Sequence, residues 1–258
     1  MPHQMKNKIF ILVFMFSIVM NAQLKAITYA DETQKLQGFL AVPKKQNKDK
    51  AGVLLLPAWM GIDNNAKENA AQLAKLGYLT FVADIYGIDK RPASTKEAGK
   101  IAGTFKKDIK LYHKRIQLAL DQLLASGVNP NKIAVIGYCF GGTGAIEVAR
   151  SNMKVSGVVS FHGGLGRDAT RTIEPINTKV LVLHGADDFY VPDAEIKAFQ
   201  DEMRTAKADW QMVYYANAVH AFTHTDAGND NSKGAAYNEK ASKRSWLAMR
   251  SFFDEIFF

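Results

Sequence analysis

The chain has 258 residues, of which 47% are hydrophobic and 22% charged, a balance that excludes an intrinsically disordered chain and suffices for a large apolar core. Its formal charge of +8 is spread along the sequence, and the densest clusters, Lys44–Lys50 and Lys106–Arg115, are broken by Asn, Gln, Asp or apolar residues. That pattern reads as a solvated basic surface and argues against a nucleic-acid partner. With Cys139 as the one cysteine, an internal disulfide is excluded.

Lys6 and Lys8 precede the apolar run Ile9–Met20, which is followed by Asn21, Ala22 and Gln23. A short basic region, an apolar stretch and a small residue at its exit make a secretory signal peptide over residues 1–22, with cleavage expected after Ala22. The run falls short of the roughly twenty apolar residues that a spanning helix needs. The expected product is exported, periplasmic or secreted, with no stable membrane insertion after cleavage. Residues 23–258 contain no linker, repeat or low-complexity tract and predict a single domain.

The apolar runs Gly38–Val42 and Val53–Leu56 end at Pro43 and Pro57 and predict strands. Ala66–Leu76 has helical spacing and stops at Gly77; Tyr78–Ala83 reads as a strand closed by Asp84-Ile85-Tyr86-Gly87. Arg91–Gly103, polar and rich in small residues, predicts a loop with a short helix. Asp108–Leu124 is a long amphipathic helix. Strand Lys132–Gly137 leads into a helix from Gly141 to about Arg150, and strands follow at Val155–Phe161 and Val180–His184. Asp193–Arg204 is helical, Gln211–Tyr215 a strand and Asn238–Phe253 the closing helix. Continuous apolar strands separated by helices predict an α/β domain with a mainly parallel sheet covered on both faces.

Chemistry concentrates at Gly137-Tyr138-Cys139-Phe140-Gly141-Gly142. A strand enters this segment and a helix leaves it, the setting of a nucleophile elbow with Cys in place of Ser. Glycines two residues either side of Cys139 relieve the crowding of so sharp a turn. An acid and a base should follow in that order. The acid candidates are Asp187 and Asp188, where a strand runs into Phe189-Tyr190-Val191-Pro192, and Asp188, just before that turn, is preferred. His220 lies between the last strand and the last helix and is the base candidate, with His224 in the same loop. His162 and His184, each followed by glycine, read as packed structural histidines, and His113 as a surface residue.

In their order these pieces resemble the dienelactone hydrolase family of α/β-hydrolases. The resemblance is carried by the Cys139 elbow, Asp84-Ile85-Tyr86-Gly87, Phe161-His162-Gly163, the segment Gly185–Pro192 and His220-Ala221-Phe222, spread over nearly all of residues 23–258. It implies a three-layer α/β-hydrolase fold, a Cys139–His220–Asp188 triad, and an oxyanion hole from the backbone N–H groups of Phe140 and Trp59. The implied reaction is cleavage of an ester or lactone through a thioester. Two positions depart from the members that open dienelactones: Ala58 replaces a glutamate that helps activate the cysteine, and His224 replaces an arginine for the substrate carboxylate. The substrate is therefore left open, with Lys90 or Arg91 as alternative cations. Trp59, Tyr86, Phe189 and Phe222 are the expected pocket aromatics, with His224, Tyr86 and Phe189 on the substrate. No cofactor or metal is expected, because neither an H-E-x-x-H pattern nor a nucleotide-binding glycine loop is present. A thioesterase or peptide-cleaving enzyme on the same triad, and a non-catalytic binding protein on a hydrolase fold, are the alternatives; monomer or dimer stays open.

Overall fold

The computed structural model describes residues 23–258, so the expected signal peptide, residues 1–22, lies outside the described residues. In chain order the strands are Gln23–Asp31 (β1), Gln34–Val42 (β2), Gly52–Leu56 (β3), Leu79–Val82 (β4), Ile133–Tyr138 (β5), Gly157–Phe161 (β6), Lys179–Gly185 (β7) and Trp210–Tyr215 (β8). The α-helices are Asn64–Lys75 (α1), Thr95–Lys107 (α2), Ile109–Ala125 (α3), Phe140–Arg150 (α4), Asp193–Thr205 (α5) and Glu239–Phe257 (α6). The strands form one sheet in the order β1-β2-β4-β3-β5-β6-β7-β8. From β4 to β8 every pairing is parallel, while β1 and β2 join the β4 edge antiparallel.

The apolar runs are continuous because both sheet faces are covered. In β3, Val53 and Leu55 enter a core with residues of α1 and α6, whereas Leu54 and Leu56 enter one with residues of α2 to α5. Helix α1 starts where the Asp63 carboxylate accepts the Ala66 N–H at 2.8 Å, buries Ala66, Ala70, Leu73 and Ala74, and stops at Gly77, whose φ of +94° is left-handed.

Two elements differ from the sequence expectation. Strand β1, which pairs with β2 over its whole length, has no apolar run to announce it; of its described side chains only Tyr29 and Asp31 are buried. The segment expected as a loop with a short helix is α2, a helix of 13 residues. Ser94 Oγ accepts the Glu97 N–H at 3.2 Å and the Glu97 carboxylate accepts the Ala93 N–H at 2.8 Å. With Ala98, Ala102 and Phe105 buried beneath it, this cap and core face outweigh the cost of Gly99 and Gly103. Its last turn brings Lys106 to the edge where the parallel strands end.

Candidate active site

Cys139 sits between β5 and α4 with φ 53° and ψ −113°, a backbone conformation that costs a non-glycine residue free energy. The surroundings hold it there. Its N–H donates to the Phe161 carbonyl at 3.0 Å and its carbonyl accepts from Thr143 N–H at 3.1 Å. A Cβ on Gly137 would stand 1.9 Å from the Gly141 carbonyl oxygen, and one on Gly141 would stand 2.1 Å from that of Leu56. Glycine is required at both places by close approach of backbone, as the elbow motif anticipates.

The other two candidates converge on the sulfur. His220 Nε2 lies 3.1 Å from Cys139 Sγ, and its Nδ1 lies 2.8 Å from Asp188 Oδ2. Asp188 has a side chain with no exposure, and its Oδ1 accepts the Tyr190 N–H at 3.0 Å, while Asp187 is exposed. Of the two adjacent carboxylates, the preferred Asp188 is the one within hydrogen-bond reach of His220. The loop bearing His220 is tied to residues 234–236: His220 N–H donates to the Gly234 carbonyl at 3.2 Å and its carbonyl accepts from Ala236 N–H at 3.0 Å. The ring of buried His162 meets the His220 ring edge to face, centroids 5.2 Å apart, and its Nε2 is 2.7 Å from Thr223 Oγ1.

The electrostatics favour a charge-separated pair. Burial opposes a charged imidazole at His220, but the hydrogen bonds to Asp188 and Cys139 outweigh it and push the pKa up to about 10. Burial likewise opposes a thiolate at Cys139. The hydrogen bond and charge of His220, the Phe140 N–H and the Lys106 ammonium overcome it, holding the thiol below its ordinary range. The Trp59 N–H makes no hydrogen bond to other described residues and remains a free donor beside the cavity.

A cavity of about 360 Å³ opens on Cys139 and His220, with Ala58, Trp59, Lys106, Tyr190 and His224 among its walls. His224 is at the site, but burial holds its imidazole below the ordinary value. Near neutral pH it is therefore a neutral wall, not a cation in place of an arginine. Several expected residues lie elsewhere. Tyr86 is buried behind the wall, where its hydroxyl donates to the Trp59 carbonyl at 2.9 Å. Phe189 is 60% exposed and packs on Tyr190 and Gly234; Tyr190, one residue on, faces the cavity and meets the His220 ring at 5.5 Å. Phe222 is fully buried against His162 and Tyr215. Lys90 pairs with Asp89 and Arg91 with Asp84, both away from the cavity walls. His113, expected on the surface, is partly buried with its Nε2 2.9 Å from Glu147. Lys106 and Tyr190 are wall residues that sequence reasoning missed. Among the described residues no helix is long and apolar enough to cross a membrane, and no group of three or more potential metal ligands gathers.

The model of the dienelactone hydrolase family matches residues 36–257. The chain is similar to the solved structure of a dienelactone hydrolase-like promiscuous phosphotriesterase, P91, from metagenomic libraries, with 36% identity and a TM-score of 0.86 over 93% of this chain and 100% of that one. The solved structure named m3DLH gives 34% identity and a TM-score of 0.87 with the same coverage. Among sequences, a protein of Yersinia pestis provisionally described as a carboxymethylenebutenolidase is 22% identical over 240 residues, spanning 88% of this chain and 86% of that protein.

Proposed function

Since this chain belongs to the dienelactone hydrolase family and is an ester-bond hydrolase, we propose that it cleaves a carboxylic ester or lactone with Cys139 as nucleophile, His220 as base and acid, and Asp188 as the orienting carboxylate. The observation that carries this reading is the hydrogen-bonded row from Asp188 through His220 to Cys139, at 2.8 and 3.1 Å.

The Cys139 thiolate adds to the ester carbonyl, and the electron pair displaced onto oxygen is met by the N–H groups of Phe140 and Trp59. As the tetrahedral species collapses, the carbon–oxygen bond to the alcohol breaks and the leaving oxygen takes the proton from His220 Nε2. A thioester remains. Neutral His220 then takes a proton from water as that water attacks the thioester; the acid departs and the thiolate–imidazolium pair is restored. Asp188 keeps Nδ1 protonated throughout, so Nε2 is the atom that exchanges the proton. Among the described residues no carboxylate lines the cavity, and in this scheme the direct bond from His220 performs the activation for which dienelactone-opening relatives use a glutamate.

Iodoacetamide near neutral pH should alkylate Cys139 and remove activity on p-nitrophenyl butyrate in step, and Cys139→Ala should be inactive. Full activity of the alkylated protein would remove the thiol from the reaction. A panel of esters, lactones and thioesters with the same protein identifies the bond preferred. We also propose export, supported by Lys6, Lys8 and the Ile9–Met20 run. Mass spectrometry of protein from the native cell envelope or medium should find an N-terminus at Gln23; full-length protein in the cytosol would refute it.

A further inference from the structure

We propose that the cleft between α1 and α6 is a second binding site, distinct from the catalytic cavity, and that it holds a neutral sugar of one or two rings. Its occupancy is independent of the ester cleavage proposed for Cys139.

The cleft encloses about 460 Å³, within the roughly 300–1,000 Å³ of small-molecule sites. A thin wall divides it from the catalytic cavity. Tyr138 lines the cleft, and the next residue, Cys139, lines the catalytic cavity. In the loop after β8, Thr223 and Thr225 line the cleft while His224 between them lines the catalytic cavity. Extended backbone at His224, with φ −90° and ψ 110°, turns successive side chains to opposite sides. Among the described residues none lines both spaces.

A buried polar group without a partner opens on the cleft. Tyr138 is 3% exposed, its ring is stacked on Phe161 with centroids 4.6 Å apart, and its hydroxyl makes no hydrogen bond to other described residues. Buried hydroxyls as a rule have one. Burial pushes the phenol pKa up, so the group stays a protonated donor, and the cleft is the space from which an acceptor can come.

The walls supply the rest of what a sugar requires. Asn65, Asn69 and Gln72 share one face of α1. Asn69 Nδ2 donates to Asn65 Oδ1 at 2.7 Å, which leaves the Asn65 N–H donors, the Asn69 carbonyl oxygen and the Gln72 amide for a ligand. Opposite them α6 brings Ser242 and the half-buried Trp246. A pyranose carries hydroxyls round its edge and C–H groups on its faces, so the edge suits amides and the face suits an indole. The charged side chains of the lining, Glu68 and Lys243, are exposed and opposite in sign. Lys243 is paired with Glu239, and the Glu68 carboxylate is a strong acceptor for a hydroxyl. Formal charges that cancel match a neutral ligand.

The test titrates the protein calorimetrically with glucose, N-acetylglucosamine and maltose, and with cyclohexanol as a ring bearing a single hydroxyl. At least one sugar should bind saturably at one site, and cyclohexanol more weakly. Tyr138→Phe keeps the ring on Phe161 and removes only the oxygen; it should weaken the sugar about fivefold, the scale of one neutral hydrogen bond. Trp246→Ala should weaken it at least as much, and Trp246→Tyr, which keeps a ring, should weaken it less. Protein alkylated at Cys139 with iodoacetamide should bind the sugar as the untreated protein does, because the adduct fills the other cavity. Binding is read without turnover, so failure of the ester-cleaving reading leaves the measurement intact. Saturable binding by none of the sugars, cyclohexanol binding as tightly as the sugars, or an affinity unchanged in both Tyr138→Phe and Trp246→Ala would overturn the proposal. Loss of sugar binding on alkylation would place the sugar in the catalytic cavity and overturn it equally.

Discussion

Replacing Asp188 with Asn removes a negative charge while keeping the shape of the side chain, so it isolates what the carboxylate does for His220. The amide oxygen can still accept the Tyr190 N–H that Oδ1 accepts at 3.0 Å. The NH2 group then faces Nδ1, 2.8 Å from the present Oδ2. A ring facing a donor at Nδ1 carries its proton on Nε2, directed at the sulfur, where no proton can be received from the thiol. The energetic side follows from the imidazole. Its pKa rises from 6.5 to about 10, which is worth roughly 5 kcal/mol in all. If Asp188 supplies about half, its loss weakens the imidazolium by roughly 2 kcal/mol, more than tenfold in the population of the ion pair before any cost of the wrong tautomer. In serine-protease triads the same change lowers kcat by about four orders of magnitude; a loss between about a hundredfold and that figure is expected here in kcat/KM for p-nitrophenyl butyrate. The rate of iodoacetamide alkylation against pH gives a second reading, in which the thiol midpoint should climb toward the ordinary thiol range. Asp187→Asn, which alters an exposed carboxylate, should stay within about tenfold. If Asp188→Asn keeps activity within tenfold and leaves the alkylation profile in place, or if Asp187→Asn is the worse variant, the assignment of the acid is wrong.

Gly141→Ala sets a Cβ 2.1 Å from the Leu56 carbonyl oxygen and 2.6 Å from that of Pro57, and should cost at least about 3 kcal/mol in urea unfolding or prevent folding. Gly103→Ala on α2 meets nothing within 4 Å and should stabilise by up to about 1 kcal/mol; equal effects of the two would refute the close-approach argument. Burial works against a charged Glu147, yet hydrogen bonds from His113 and Arg171 and the charge of Arg150 hold it down to about 2, from 4.5. The depressed value means stability that is fully present above pH 4.5 and is lost as pH falls toward 2, roughly 3 kcal/mol from this group. Glu147→Gln should be less stable at pH 7 but flatter between pH 4.5 and 2; an identical acid slope would show that the cluster is not the acid-sensitive element.

The residues of the hydrogen-bonded row Asp188–His220–Cys139 were legible because their constraints are local. Two glycines around Cys139, between a strand and a helix, mark a turn too tight for side chains two residues either side of the cysteine. Asp188 and His220 sit after strands, where the chain order requires them. Of the cavity walls, Trp59 and His224 were legible, but Lys106 and Tyr190 were not, and Tyr86, Phe189 and Phe222 were misplaced, because the walls depend on where side chains point after a turn. Around Asp188–Val191 the chain reverses through a hydrogen bond from Val191 N–H to the Asp188 carbonyl, which leaves both rings exposed, with Phe189 against Gly234 and Tyr190 along the cavity. No periodicity in the sequence encodes that direction. Lys106 was hidden for a different reason: its position depends on α2 being a full helix, and Gly99 and Gly103 made that segment read as a loop. The hydroxyl of Tyr86 and the imidazole of His113 find partners 27 and 34 residues away in sequence, a distance over which local pattern says nothing.

The strained backbone at Cys139 has a consequence for how this enzyme can change. Its coordinates are set by main-chain contacts to β6, to α4 and to the carbonyl at the end of β3, none of which depends on the identity of a side chain in the cavity. Tyr190 comes from the connection between β7 and α5, His224 and Ala235 from that between β8 and α6, and Lys106 from the last turn of α2. The Cys139 sulfur is therefore anchored in the sheet while the shape around it is distributed over two loops and a helix end. New specificities can be selected at the rim, one segment at a time, without moving the sulfur.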